Sequence, residues 1–84
     1  MKNILFVCTG NSARSIIAES IINNEYDDMY KGFSAGSNPT GKVNEDVKNY
    51  LLSKYYDLSN YQSKNFNVFI KSQIKMDYVI TVCN

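Results

Sequence analysis

The sequence has no histidine and only two cysteines among its 84 residues. The absence of histidine excludes His-dependent catalytic triads, histidine metal ligands and imidazole acid–base catalysis. Two cysteines are too few for a disulfide scaffold or a four-cysteine zinc site, so we expect no metal. Nine Lys and Arg against eight Asp and Glu leave a formal charge of +1. This balance gives no electrostatic case for nucleic acid or a membrane surface as a partner.

Long apolar runs are also missing. No stretch approaches the roughly 20 apolar residues of a membrane span, and the run after Met1-Lys2-Asn3 is too short for a signal peptide. We therefore expect a cytoplasmic protein whose thiols stay reduced unless they are catalytic. The length allows a single domain, residues 1–84, and a hydrophobic share of 44% with 20% charged residues is typical of a globular chain.

Three β-prone runs alternate with amphipathic segments along the chain. The pattern predicts strands at residues 4–7, 33–36 and 78–82. Strands that alternate with helices imply an α/β fold with a parallel sheet. We predict a three-layer sandwich around a short parallel sheet of about three strands.

Three helices are predicted from apolar residues at helical spacing. The apolar sets are Ile17, Ala18, Ile21 and Ile22 for the first helix, Val43, Val47, Tyr50 and Leu51 for the second, and Phe66, Phe69, Ile70 and Ile74 for the third. Asn44 and Ser63 are the predicted N-caps of the second and third helices. Glu45 and Asp46 are placed favourably for the dipole in the first turn of the second helix.

The segment from Cys8 to Ser15, between the first strand and the first helix, carries the chemistry. Its spacing is C-x5-R, with Cys8 and Arg14 at the two ends of the pattern. A loop of small residues can wrap so that its backbone N–H groups point inward and form an anion-binding nest. The following helix adds its positive end to the same place. The predicted cradle consists of Thr9, Gly10, Asn11, Ser12 and Ala13.

Three side chains around this cradle receive candidate roles. Arg14 can bind two oxygens of a tetrahedral anion, and Cys8 beneath the anion lies in a field that favours the nucleophilic thiolate. Ser15 can donate a hydrogen bond to the thiolate and help it leave. In the alternative interpretation, Cys8 is a buried small hydrophobe and Arg14 an ordinary surface charge. The position after a buried strand, where ligands bind in open parallel sheets, favours an oxyanion site.

Residues 4–19 resemble the opening of the low-molecular-weight protein tyrosine phosphatase superfamily. More narrowly, residues 7–15 followed by Ala18-Glu19 look like the thioredoxin-coupled arsenate reductases. The other stretches that agree with this branch are residues 33–36, 57–60, 62–63 and 77–83. Cys83 is the best discriminator, because the phosphatases usually lack a cysteine at that position.

The resemblance implies a two-thiol reaction and a role in arsenical resistance. Cys8 would attack arsenate, and Cys83 would then attack Cys8, release arsenite and leave a disulfide. A thioredoxin-type protein or a small thiol would be the reductant, without an organic cofactor or a metal. Both cysteines follow predicted parallel strands, so we expect them at the same edge of the sheet. Alternatively, Cys83 is only a buried thiol at the end of a strand.

Two parts of the family pattern have no counterpart here. The reductases carry a third cysteine a few residues beyond the second, and both branches have an Asp-Pro loop further downstream whose aspartate acts as general acid. The resemblance covers about the first two thirds of a family member, so the expected domain is truncated and C-terminally incomplete.

No other acid replaces the missing aspartate in the predicted fold. Asp77 opens the third strand, about 20 Å from the active edge at 3.3 Å per residue. Glu19 lies on the first helix, where we expect a structural or cation-binding role, and Asp46 and Asp57 have no geometric claim. Two alternatives to a reductase therefore stay open. One is a tyrosine-phosphatase-like hydrolase that uses Cys8 and Arg14, and the other is a catalytically impaired remnant that binds oxyanions.

Overall fold

The computed structural model of the chain describes residues 1–10, 13–56, 62–65 and 67–82. Asn11, Ser12, Asp57, Phe66 and Cys83, all singled out above, lie outside these ranges. The helices and strands, in chain order, are β1 (Lys2–Cys8), α1 (Arg14–Glu25), β2 (Tyr30–Gly36), α2 (Glu45–Ser53), α3 (Asn67–Ser72) and β3 (Tyr78–Thr81).

The three strands form one parallel sheet in the order β2-β1-β3. Leu5 in the central strand pairs with Phe33 on one side and with Val79 on the other. The sequence predicts a strand covered on both faces here, and Ile4, Leu5 and Phe6 are each 7% exposed. The α/β fold with a short parallel sheet is thus confirmed.

Helices lie on both faces of this sheet. Adjacent residues of a strand point to opposite faces. On one face α1 approaches Gly32 so closely that a Cβ there would lie 3.1 Å from the Ile22 side chain. On the opposite face, the ring of Phe69 in α3 packs edge-on against Phe33 with centroids 5.3 Å apart. The predicted three-layer arrangement follows from these two contacts.

The buried face of α1 differs from the predicted one. The residues of α1 that are buried are Ser15, Ile16, Glu19 and Ser20, whereas Ile21 of the predicted apolar face is 36% exposed. The prediction was wrong because hydroxyl groups can be buried when the backbone satisfies them. Ser20 Oγ donates to the carbonyl oxygen of Ile16 at 2.8 Å.

The beginning of α2 agrees with the predicted cap. Asn44 Oδ1 accepts hydrogen bonds from the backbone N–H groups of Asp46 (2.9 Å) and Val47 (3.1 Å). Val43, which the apolar spacing assigns to this helix, lies before its first residue. The helix is anchored by Leu51, whose side chain is fully buried.

The cap of α3 does not agree with the prediction. Asn65, and not Ser63, accepts a hydrogen bond from the N–H of Asn67, at 2.8 Å. Ile74 lies beyond the end of this short helix. Ser63 lies before the helix, and its hydroxyl donates instead to the loop that follows β1.

Candidate active site

The two ends of the C-x5-R pattern lie at one edge of the sheet. Cys8 is the last residue of β1, a half-buried free thiol, and Arg14 is the exposed first residue of α1. The loop between them therefore leaves the carboxyl end of the central strand, as the sequence predicts for a ligand site in a parallel sheet.

Three consecutive carbonyl oxygens of this loop accept hydrogen bonds from one neighbouring segment, residues 37–40. The pairs are Ser37 N to Cys8 O (3.2 Å), Asn38 N to Thr9 O (2.9 Å) and Thr40 N to Gly10 O (3.0 Å). In a planar trans peptide, the C=O and the N–H of the next residue point in opposite directions. The N–H groups of Thr9 and Gly10 therefore point away from segment 37–40. This is the orientation that the predicted anion-binding cradle requires.

Ser63 adds a side-chain contact to this loop. Its Oγ donates to the Gly10 carbonyl oxygen at 2.9 Å and accepts from Gly41 N at 3.1 Å. Thr40 Oγ1 lies 3.5 Å from Ser63 Oγ. Gly41 has φ +83°, a left-handed conformation that glycine adopts without strain. The sequence predicts a helix cap at Ser63 and no role at the site for residues 37–41, so both supports of the loop were missed.

The first turn of α1 completes the described part of the site. Ala13 precedes the helix, and its carbonyl oxygen accepts the N–H of Ile17 at 2.9 Å. The turn contains Arg14 and no acidic residue, so no carboxylate of this turn competes with an anion for the positive end of the helix. Ser15, the residue after Arg14, is fully buried.

Glu19 is buried one turn further along α1, away from solvent. Its Oε1 accepts a hydrogen bond from Ser34 Oγ at 2.5 Å. Burial raises the pKa of Glu19 above its ordinary value of 4.5, while the hydrogen bond from Ser34 and the charge of Lys64 act in the opposite direction. Burial likewise lowers the pKa of Lys64, against the opposing effect of Glu19. These contacts agree with the first of the two roles expected for Glu19, structural or cation-binding.

Two further acids considered above, Asp77 and Asp46, lie in described parts of the chain. Asp77 precedes β3 at the end of the sheet opposite to Cys8, where its Oδ2 accepts from Asn3 N at 2.8 Å. Asp46 occupies the first turn of α2. Asp77 is therefore not placed to protonate a group bound by the loop.

Strand β3 leads towards the same edge as Cys8. Val7 pairs with Thr81, and the N–H of Val82 donates to the carbonyl oxygen of Val7 at 2.9 Å. Cys83 is the next residue in the sequence and lies outside the described ranges, so the structure places its neighbour Val82 beside β1 but not its thiol.

A cleft of about 320 Å³ lies next to the supports of the loop. It is lined by Ile16, Gly41, Lys42, Val43, Glu45, Lys48, Gln62 and Ser63. Ser63 thus faces both this cleft and the loop.

Among the residues that the structure describes, no three His, Cys, Asp or Glu side chains come together as a metal site, and no helix has the length and apolar character needed to cross a membrane.

The fold and the loop after β1 have clear counterparts among known proteins. A model of the low molecular weight phosphotyrosine protein phosphatase family matches residues 3–84. The chain therefore belongs to this family, and the resemblance that the sequence analysis drew from residues 4–19 is confirmed.

Arsenate reductases are among the relatives that match. Arsenate reductase 2 of Staphylococcus haemolyticus is 34% identical over 83 residues, which are 99% of this chain and 61% of that protein. A solved structure of an arsenate reductase in the phosphate binding state has a TM-score of 0.84 at 26% identity, over 99% of this chain and 61% of that one. A thioredoxin-dependent arsenate reductase of Corynebacterium glutamicum has a TM-score of 0.82 at 28% identity, over 96% and 42%. The chain thus spans about three fifths of the curated relative.

Proposed function

We propose that this protein is an arsenate reductase-like enzyme in which Cys8 attacks arsenate and Cys83 resolves the adduct. The observation that carries the proposal is the orientation of the loop after β1. Its carbonyl oxygens at Cys8, Thr9 and Gly10 are bonded to segment 37–40, which turns the N–H groups of Thr9 and Gly10 away from that segment, as an anion-binding nest next to the Cys8 thiol requires. The arsenate reductases among the relatives support arsenate as that oxyanion.

The first step forms a bond between sulfur and arsenic. The Cys8 thiolate attacks arsenic(V), and one arsenate oxygen leaves as hydroxide or, after protonation, as water. The loop N–H groups and Arg14 hold the remaining oxygens. In this proposal Asn11, Ser12 and Ala13 complete the cradle. Ser15 assists Cys8 when it acts as a leaving group.

The second step transfers two electrons to arsenic. The Cys83 thiolate attacks Cys8 Sγ and forms a disulfide, and the electron pair of the sulfur–arsenic bond stays on arsenic, which leaves as arsenite. The two thiols are oxidised and arsenic(V) is reduced to arsenic(III). A thioredoxin-type protein or a small thiol then reduces the disulfide. The parallel pairing of β3 with β1, up to Val82 beside Val7, supports this step because Cys83 follows Val82 in the chain.

A phosphatase reaction is the second candidate, because the chain belongs to the low molecular weight phosphotyrosine protein phosphatase family. It would use Cys8 and Arg14, with Cys83 as a redox guard. The arsenate reductases among the relatives favour the reductase, as does the cysteine at position 83, which the phosphatases usually lack.

A single-turnover assay with arsenate separates the candidates. The wild-type protein should release arsenite without added thiol and acquire a Cys8–Cys83 disulfide detectable by mass spectrometry. Cys83→Ser should release arsenite only when an external thiol is added, and Cys8→Ser should release none. Unchanged thiol-independent release by Cys83→Ser would refute the resolving role.

The same three proteins test the alternatives with an aryl phosphate. Hydrolysis that disappears in Cys8→Ser and persists in Cys83→Ser would identify a phosphatase. A thermal midpoint that rises with phosphate, without turnover of either compound, would identify a protein that only binds oxyanions.

A further inference from the structure

Among the described carbonyl oxygens at the start of the loop, that of Gly10 has the most hydrogen-bond donors. It accepts Thr40 N at 3.0 Å and Ser63 Oγ at 2.9 Å, whereas the structure gives the carbonyl oxygens of Cys8 and Thr9 one backbone donor each from segment 37–40. A carbonyl oxygen has two acceptor lone pairs, and both are used at Gly10.

Ser63 joins three separate parts of the chain. Besides donating to Gly10, its hydroxyl accepts from Gly41 N at 3.1 Å, so one oxygen bridges the loop after β1 and the segment that holds that loop. A hydroxyl has one proton to donate and can accept at the same time. Ser63 is also half-buried, which limits competition from water for these bonds.

We propose that Ser63 is a positioning residue for oxyanion binding. It fixes the Gly10 carbonyl on the side of segment 37–40 and thereby steadies the described N–H groups of the loop, those of Thr9 and Gly10, which point away from that segment. The inference rests on the proposed function for its ligand, but Ser63 acts through Gly10 and touches neither the anion nor Cys8.

Loss of the Ser63 hydroxyl should weaken ground-state and transition-state binding together. A hydrogen bond of this kind contributes about 0.5–1.5 kcal/mol, which corresponds to roughly 2- to 13-fold in affinity. Ser63→Ala should therefore raise the Kd for inorganic phosphate and the KM for arsenate by similar factors in this range and change kcat much less.

Two further variants distinguish positioning from general stability. Ser63→Thr keeps the hydroxyl and should restore most of the phosphate affinity. Ser72→Ala is the matched control, because Ser72 Oγ also donates to a backbone carbonyl, that of Phe69 at 2.9 Å, but on α3. It should leave the phosphate Kd unchanged.

A measurement without ligand tests the inference separately from the proposed function. The amide ¹H–¹⁵N signals of Thr9 and Gly10 should shift in folded Ser63→Ala and stay in place in Ser72→Ala. Unchanged Thr9 and Gly10 signals in Ser63→Ala would overturn the positioning role. If the wild type binds phosphate, a phosphate Kd of Ser63→Ala equal to that of the wild type would overturn it as well. If the wild type does not turn over arsenate, the proposed function is refuted. The role of Ser63 is still tested in that case, because the amide signals and phosphate binding report on it directly.

Discussion

The two sides of the central strand β1 are packed very differently. On one side, β2 and α1 bury Ile16, Ser34 and Ala35 completely. On the other side, all four residues of β3 are exposed. Helix α3 contacts Phe33 of β2 through Phe69 but has no buried residue among those described. Val79 and Ile80 of β3 are 63% and 43% exposed. We call these the packed side (β2, α1 and α2) and the open side (β3 and α3).

This difference divides the proposed reaction between two environments. The loop that would hold the oxyanion begins at β1, ends at α1 and is supported by residues that follow β2, so it depends on the packed side. Cys83 follows β3 and depends on the open side. Strands with few buried contacts open at lower free energy than core strands. We therefore expect oxyanion binding to be more robust to mutation than disulfide formation.

The largest test of the comparison uses two isoleucines. Ile16 in α1 is fully buried and Ile70 in α3 is 65% exposed. Ile16→Ala should lower the free energy of unfolding by about 2–5 kcal/mol because it leaves a cavity. Ile70→Ala should change it by less than about 0.5 kcal/mol. Urea denaturation of both variants measures the difference, and Ile16→Val, with an expected loss of about 0.5–1.5 kcal/mol, serves if Ile16→Ala does not fold. Equal losses at the two positions would contradict the division into a packed and an open side.

A second test uses the buried carboxyl group of the packed side. Because burial raises the pKa of Glu19, the folded state retains this proton at pH values where the unfolded state has lost it. Ionisation of Glu19 therefore costs stability above its folded pKa, and the free energy of unfolding should rise as the pH falls from there towards 4.5. Glu19→Gln should remove this contribution, and denaturation measured across this pH range checks it.

The partner of Glu19 provides the opposite change. The hydrogen bond from Ser34 lowers the pKa of Glu19, so Ser34→Ala should raise that pKa further and steepen the pH dependence. A pH dependence that is the same in wild type, Glu19→Gln and Ser34→Ala would show that Glu19 titrates alike in the folded and unfolded states.

The smallest test compares the two helix caps. Asn44→Ala removes the acceptor for two N–H groups of α2 and should cost about 1 kcal/mol. Asn65→Ala removes the acceptor for one N–H of α3, a helix of six residues without a buried residue, and should cost less. Thermal unfolding measures both, and a larger loss for Asn65→Ala would show that α3 contributes more to the fold than its exposure suggests.

Local patterns predicted those parts of the fold that depend on neighbouring residues. The apolar run at residues 4–7 predicted the buried central strand, and Asn44 with Glu45 and Asp46 predicted the beginning of α2. Apolar spacing failed for α1, because its buried face includes Ser15, Glu19 and Ser20. Ser20 is satisfied inside the helix by the carbonyl oxygen of Ile16, and Glu19 is satisfied by Ser34 of β2. Apolar spacing does not register either polar side chain as buried.

The candidate site divides in the same way. The sequence by itself determined the C-x5-R pattern, its position between a buried strand and a helix, and hence the placement of Cys8 and Arg14 at one edge of the sheet. Only the tertiary structure decided which way the loop between them faces. Its carbonyl oxygens bind donors from residues 37–40 and from Ser63, and Ser63 lies 53 positions from Gly10 along the chain. Hydrogen bonds between residues so far apart form when the sheet brings them together, so no local pattern encodes them.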